Sequence, residues 1–346
     1  MTTEDIHISR VRPLLSPAVL AEEFPASQVV TELVKDSRRA IEQILTGESQ
    51  RLIVIVGPCS IHDPAAAREY ATRLAEQKER FPNLFIIMRV YFEKPRTIVG
   101  WKGLINDPDI DQSFQINKGL RLARKLLADV GDLGLPCGTE FLDTTFGQYY
   151  ADLISWGAIG ARTAESQIHR ELASGLSMPV GIKNRTDGNV KIAVDAIEAA
   201  SHRHLFPSLT KEGAPAIYET GGNRFAHLIL RGGELTGPNY DQQSVKEASS
   251  LLTARKLPNA IIVDASHGNS QKDPQNQIKV IDSVAETCLL NDAIKGVMLE
   301  SHLVSGRQDY QPEGLTYGQS ITDACLSFDE TLPLLEHLNT AAARRT

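Results

Sequence analysis

Residues 84–97 read Leu-Phe-Ile-Ile-Met-Arg-Val-Tyr-Phe-Glu-Lys-Pro-Arg-Thr. The run from Leu84 to Met88 is continuously apolar, the pattern of a strand buried on both faces in a helix-covered parallel sheet. Arg89, Lys94 and Arg96 follow within eight residues, and Thr97 adds a hydroxyl. Pro95 fixes the backbone between the last two cations. A buried strand that opens onto crowded cations points to a site for an anion. Arg forks and Lys point charges suit phosphate and carboxylate.

Seven further runs share the apolar half of this pattern: Leu52–Val56, Leu135–Phe141, Ala158–Arg162, Pro179–Lys183, His227–Arg231, Ala260–Asp264 and Gly296–Glu300. Helix-period segments lie between them, over Pro64–Arg80, Ile116–Val130, Val190–Ala200, Ser244–Leu257 and Gln275–Leu289. Eight strand-then-helix units spell an α/β (β/α)₈ TIM barrel. A doubly wound open sheet is the competing reading. The count of eight and the polar residues at the strand ends favour the barrel.

Two segments exceed a minimal barrel. Residues 1–50 form an N-terminal extension with a helix of its own, capped by Asp36 or Ser37, striped by Ile41, Ile44 and Leu45, and stopped by Gly47. Residues 202–226 read as a β-hairpin inserted before strand six, with Ala216–Tyr218 as one strand. Residues 51–346 then form the catalytic barrel. Extra elements outside a barrel serve oligomer contacts or regulation, or decorate it.

The chain has 346 residues and a net charge of −7, so nucleic acid is not an expected partner and the cations of 89–96 are a local device. No apolar run approaches the ~20 residues of a membrane helix. The first residues lack a secretory pattern, so a cytoplasmic protein is expected. Cys59, Cys137, Cys288 and Cys325 show no CxxC spacing and are expected as thiols. There is no GxGxxG, GxxxxGK[ST], HExxH or GxSxG.

Barrel chemistry sits at the C-terminal strand ends. Those ends carry Gly57-Pro58-Cys59-Ser60, Arg89, Glu140, Arg162, Lys183, Arg231-Gly232-Gly233, Asp264-Ala265-Ser266-His267 and Glu300-Ser301-His302. A single strand-end Arg is more often a rim salt bridge. Five cations converging on one mouth (Arg89, Lys94, Arg162, Lys183, Arg231) repel one another, which favours a bound anion. Cys59, His267 and Glu300 come from strands one, seven and eight, neighbours in a closed barrel. Thiolate, imidazole and carboxylate suit a divalent transition metal, though the residue types alone leave that open. Asp323 either adds an oxygen ligand or caps the last helix.

The motifs Gly57-Pro58-Cys59-Ser60-Ile61-His62, Arg89 through Thr97 with Val99-Gly100-Trp101-Lys102-Gly103, Gly160-Ala161-Arg162-Thr163, Gly181-Ile182-Lys183-Asn184, Leu230-Arg231-Gly232-Gly233, Ser266-His267-Gly268-Asn269 and Ser320-Ile321-Thr322-Asp323 resemble the microbial type I 3-deoxy-D-arabino-heptulosonate 7-phosphate (DAHP) synthases. The resemblance spans nearly the whole chain. It implies a metal-dependent transferase that condenses phosphoenolpyruvate with erythrose 4-phosphate, opening the shikimate pathway to chorismate and the aromatic amino acids. It implies Cys59, His267, Glu300 and Asp323 as metal ligands, with Mn²⁺ the expected ion and Fe²⁺, Co²⁺ or Zn²⁺ the alternatives. Arg89, Lys94, Glu140, Arg162, Lys183 and Arg231 match the phosphoenolpyruvate site, and Lys94, Pro95, Arg96, Thr97 and Asp323 the erythrose 4-phosphate site. Lys94, Cys59, His267 and Asp323 are the implied catalytic residues. Leu172, Gly175, Leu176, Ser177, Phe206 and Ser208 match the region of an inhibitor pocket for an aromatic amino acid, with phenylalanine preferred on Ser208. A homodimer or homotetramer is expected. Arg185 departs from the pattern, which has glycine there. A sister 3-deoxy-octulosonate 8-phosphate synthase using arabinose 5-phosphate, a Schiff-base aldolase working through Lys183, and a non-catalytic metabolite sensor remain as alternatives.

Overall fold

The computed structural model describes residues 3–96, 98–311 and 313–345. Thr97 therefore lies outside the described residues. Eight parallel strands close on themselves: β1 (Leu52–Gly57), β2 (Leu84–Arg89), β3 (Cys137–Glu140), β4 (Trp156–Ile159), β5 (Val180–Lys183), then β8 (His227–Leu230), β9 (Ile261–Asp264) and β10 (Ile294–His302), with β1 paired to both β2 and β10. The inserted antiparallel hairpin supplies β6 (Leu205–Leu209) and β7 (Pro215–Glu219), between β5 and β8. Closure excludes the open sheet, because no strand of the barrel is left as an edge.

Strand four differs from the sequence reading by starting at Trp156 and ending at Ile159. The chain turns immediately afterwards, with the Thr163 amide donating to the Gly160 carbonyl. Arg162 thus belongs to a turn beyond the strand, not to the strand itself. A Cβ at Gly160 would fall 2.3 Å from Glu140 Oε1, so a larger residue there would displace that carboxylate.

Helices fill the outer layer: α1 (Pro17–Glu23), α2 (Gln28–Thr46), α3 (Pro64–Gln77), α4 (Ile116–Asp132), α5 (Gly147–Tyr150), α6 (Gln167–Gly175), α7 (Lys191–Ala200), α8 (Gln242–Ala254), α9 (Asn276–Thr287) and α10 (Phe328–Ala342). The start of α2 corrects the sequence reading. Its N-cap is Ser27, whose hydroxyl accepts from the Val30 amide; Asp36 and Ser37 are interior. The apolar stripe simply continues upstream, with Val30 and Val34 buried in line with Ile41, Ile44 and Leu45. Gly47 ends the helix as expected, at φ +82°.

The core has two parts. The larger lies between strands and helices. The smaller fills the barrel with Ile53, Ile55, Ile87, Trp156, Ile229, Ile262 and Met298, and α2 plugs its lower end with Ile41, Ile44 and Leu45. Trp156 Nε1 donates to His227 Nε2 at 3.1 Å, and His227 Nδ1 lies 2.9 Å from the Phe225 carbonyl. Both ring nitrogens of this buried imidazole are occupied only in the neutral form, and burial holds its pKa down to about 4.

α1 and the hairpin are tied together, the Ala18 amide donating to the Lys211 carbonyl at 2.7 Å. The hairpin also packs on α6. Ser174 and Thr220 hydroxyls are 2.7 Å apart, and a Cβ on Gly175 would come within 2.8 Å of Thr220 Cγ2 and 4.0 Å of Phe206 Cζ. No described helix is long and apolar enough to cross a membrane.

Candidate active site and metal centre

The C-terminal ends of the strands surround a cavity of about 180 Å³ lined by Cys59, Arg89, Lys94, Pro95, Arg96, Glu140, Arg162, Lys183, Arg231, His267, Glu300 and Asp323. Every described residue of the two expected substrate sets and of the expected ligand set is there. A wider recess opens outside it, walled by Lys94–Arg96, Trp101, Phe114 and Tyr310.

The expectation of bare, mutually repelling cations needs revision. Arg89 lies 3.1 Å from Glu300, Lys94 2.7 Å from Asp323 and Lys183 3.0 Å from Asp264. Each pair includes a cation at least mostly buried, so the carboxylates assemble the cluster without any ligand. Arg162 and Arg231 are different. Neither takes part in an ion pair among the described residues, and Arg231 is held below the usual arginine range by burial and by the nearby Arg162 charge. Asp264, Glu234 and Glu300 act on Arg231 without forming an ion pair, so Arg162 and Arg231 are among the least neutralised cations of the cavity.

Asp264 is the residue whose role the sequence reading missed. It is fully buried, and its Oδ2 is 3.0 Å from both Lys183 Nζ and His267 Nδ1. Its Oδ1 accepts from the Ser266 amide and hydroxyl at 3.0 and 2.6 Å. Burial opposes its charge, but Lys183 and then His267 outweigh that and hold its carboxyl far below the usual range. The signal was present in the strand-end sequence Asp264-Ala265-Ser266-His267, but an acid between a lysine and a histidine distant in sequence cannot be read without the fold. His267 adopts φ +59°, a left-handed conformation that costs a non-glycine residue of order 1 kcal/mol. That conformation turns Nδ1 to Asp264 and leaves Nε2 3.9 Å from Glu300 Oε1.

Cys59, Glu300 and Asp323 offer one donor atom each within 4.8 Å of one another. His267, expected as a fourth ligand, falls outside this group: its Nε2 is 3.9 Å from Glu300 Oε1 but not within the same reach of all three donors. Asp323 is not a helix cap: α10 is capped by Ser327 in a capping box with Glu330. The Lys94 ammonium lies among the same donors, 3.0 Å from Cys59 Sγ and 2.7 Å from Asp323 Oδ2. A cation thus already sits against a sulfur and a carboxylate, and the mixed S, N and O donors fit a divalent transition ion. Burial and the neighbouring Glu300 push the Cys59 thiol up to about 11. Glu93, between the cavity and the outer recess, is pushed up to about 8, chiefly by burial.

Lys183 is paired with Asp264 at the bottom of the cavity, which disfavours the Schiff-base alternative. Arg185, where glycine was expected, points away from it to Glu165 and Asp187 at 2.7 and 3.0 Å on the rim.

The family model described as "DAHP synthetase I family" matches residues 25–336. The chain belongs to the DAHP synthetase I family. It is 54% identical over 346 residues to the Phe-sensitive phospho-2-dehydro-3-deoxyheptonate aldolase of Escherichia coli (strain K12), covering 99% of this chain and 98% of that protein. It is 52% identical over 348 residues to the Trp-sensitive enzyme of the same strain, covering 99% of each. A solved structure of the phospho-2-dehydro-3-deoxyheptonate aldolase from Francisella tularensis SCHU S4 superposes with a TM-score of 0.96 at 52% identity, over 98% of this chain and 99% of that one. Identity of 52–54% over 99% of the chain to phospho-2-dehydro-3-deoxyheptonate aldolases speaks against the metabolite-sensor and octulosonate alternatives.

Proposed function

We propose that this chain makes DAHP and inorganic phosphate from phosphoenolpyruvate, erythrose 4-phosphate and water, with the cavity at the strand ends as its active centre. The observation that carries the site assignment is the unpaired Arg162–Arg231 corner beside the Cys59, Glu300 and Asp323 donors. Phosphoenolpyruvate is polyanionic, and its phosphate fits that corner. Lys183 at the floor and Arg89 complete the contact set, while Glu140 orients water at the same end. Lys94, Pro95, Arg96, Thr97 and Asp323 receive erythrose 4-phosphate from the outer recess.

Cys59, His267, Glu300 and Asp323 would hold the divalent metal, with Mn²⁺ preferred, and the bound ion would supply Lewis-acid polarisation of the aldehyde oxygen. C3 of phosphoenolpyruvate attacks the aldehyde carbon, and Lys94 is placed to protonate the resulting alkoxide. Water adds at C2, and breaking the C–O bond to phosphate releases it. Cys59 Sγ and Asp323 Oδ2 hold the Lys94 ammonium through the same atoms that would bind the ion, so loading the site would free that ammonium for substrate. Phosphate release that requires both sugar phosphate and metal, with DAHP formed in equal amount, is the expected result. Release without erythrose 4-phosphate would overturn it.

The second part of the proposal concerns control. The Phe- and Trp-sensitive names of the relatives support feedback inhibition by an aromatic amino acid at Leu172, Gly175, Leu176, Ser177, Phe206 and Ser208. Phe206 is buried against Tyr218, ring centroids 6.2 Å apart, and Ser208 sits across the hairpin ladder from Ala216. The tie between α1 and the hairpin supports a role for the N-terminal extension in oligomer contacts and regulation, in a cytoplasmic homodimer or homotetramer. Activity measured with phenylalanine, tyrosine and tryptophan in parallel is expected to fall most with phenylalanine; no response to any of them would sink this part.

A further inference from the structure

A large recess lined by apolar and charged residues lies at the opposite end of the barrel, where binding sites are not expected. It encloses about 780 Å³ between the last turns of α2 and the lower ends of β8, β9 and β10. That volume suits a small organic molecule rather than a lone ion. Leu45, Ala226, Ala260 and Ala293 form buried walls, and Phe225 adds an aromatic face. The rim carries both signs, Arg39 and Arg224 against Glu42 and Glu48, and so selects no ligand by charge.

The selective group is Lys295, whose side chain is 4% exposed. Its ammonium donates to Asp292 Oδ1 at 3.0 Å, its one hydrogen bond among the described residues. The same oxygen accepts from Arg345, also nearly buried, at 3.1 Å. Asp292 itself is 71% exposed. Two buried cations therefore share one oxygen of a solvated carboxylate, and at least one further N–H of Lys295 has no partner among the described residues. A merely structural reading has Lys295 propping the end of α2, because a Cβ on Gly47 would lie 3.6 Å from its Nζ. A prop would donate to the last carbonyls of α2, and the ammonium donates to none of them.

We propose that this recess is a second small-molecule site, for a carboxylate carried on an apolar or aromatic body. The carboxylate meets Lys295 and the body lies against Phe225 and the alanine wall. A buried charge-assisted hydrogen bond gives the carboxylate its advantage over an uncharged analogue.

The test uses the full-length, metal-loaded chain saturated with phosphoenolpyruvate, titrated calorimetrically with 3-phenylpropionate and with its uncharged amide. The carboxylate is expected to bind at least about tenfold more tightly than the amide. Lys295→Met is expected to erase that preference. Thr46→Trp, an exposed position at the mouth, fills the recess without touching the core and is expected to remove binding of both probes while leaving turnover unchanged. Thr46→Trp keeps the test decisive even where Lys295→Met does not fold. No binding to the wild-type chain at about 10 mM probe, or binding that both variants retain, overturns the proposal.

Discussion

Asp264→Asn is the substitution that most directly probes how the active centre is held together. It keeps the volume and removes the charge that faces Lys183 and His267, each 3.0 Å away. Removing one partner of a buried pair costs about 3–5 kcal/mol, and the retained amide dipole puts this case near the lower end. A chain of 346 residues has an unfolding entropy of about 0.7 kcal/mol/K, so a loss of about 3 kcal/mol lowers Tm by about 4 °C. The second consequence is chemical. With no carboxylate near Nδ1, only the Ser266 hydroxyl, 2.8 Å from the same nitrogen, is left to orient the His267 ring and aim Nε2 toward Glu300. Losing such a support typically weakens metal binding about 10- to 100-fold. Thermal unfolding gives the first number, and titration of the folded variant against a competing chelator gives the second. A folded Asp264→Asn protein with wild-type metal affinity would refute the role given to Asp264, whatever its Tm.

Other perturbations test separate parts of the same reading. Arg231→Met removes one of two cations that lack an ion pair among the described residues; the loss of one or two charged hydrogen bonds, about 1.5–3 kcal/mol, is expected to raise KM for phosphoenolpyruvate about 10- to 150-fold, and unchanged kinetics would remove Arg231 from the site. Metal binding must deprotonate Cys59, whose thiol stands near 11, so calorimetry in buffers of different ionisation enthalpy is expected to show about one proton released per ion; Cys59→Ala should release none, and equal release by both proteins counts against the thiol as a ligand. His227 is held neutral, its folded pKa of about 4 lying below the unfolded value of 6.5. Its contribution is therefore fully present above about pH 6.5 and is lost as pH falls toward 4, on the order of 3 kcal/mol. Tm of wild type should drop more steeply over that window than Tm of His227→Gln, and parallel curves would contradict the assignment.

The parts legible in the sequence were those set by local pattern. Continuous apolar runs located the barrel strands, and Gly47 located the end of α2, because one residue or one period decides each. The start of α2 was misread because Lys35-Asp36-Ser37-Arg38 looks like a polar boundary. In the structure Arg38 donates to the Ala151 and Ile154 carbonyls across the fold, and Ser37 is buried. The end of β4 was misplaced because Gly160-Ala161 reads as small and apolar, while its true reason is room for the Glu140 carboxylate. Asp264 was quoted at its strand end and given no role, since its partners lie on β5 and in the turn after β9. Side chains that act through distant partners carry little local signal.

The arrangement of charge at the strand ends explains why so many cations can share one small cavity. Glu300, Asp323 and Asp264 each neutralise one of them before substrate arrives. What remains is an imbalance at Arg162 and Arg231, two cations without an ion pair among the described residues, so the attraction for an anion is concentrated there. The carboxylates serve a second purpose. Glu300 touches Arg89 and stands among the metal donors, and Asp323 holds Lys94 while doing the same. The groups proposed to bind substrate and those proposed to bind metal therefore share partners. In the proposed centre, loading one set would shift the other: the Lys94 amide donates to the Lys102 carbonyl at 2.9 Å, which would keep its backbone in place while its ammonium changed partner. Pro95 follows directly, which confines that exchange to the side chain. The run that begins with a buried strand thus ends in a fixed backbone carrying one exchangeable charge, placed between the metal donors and the outer recess.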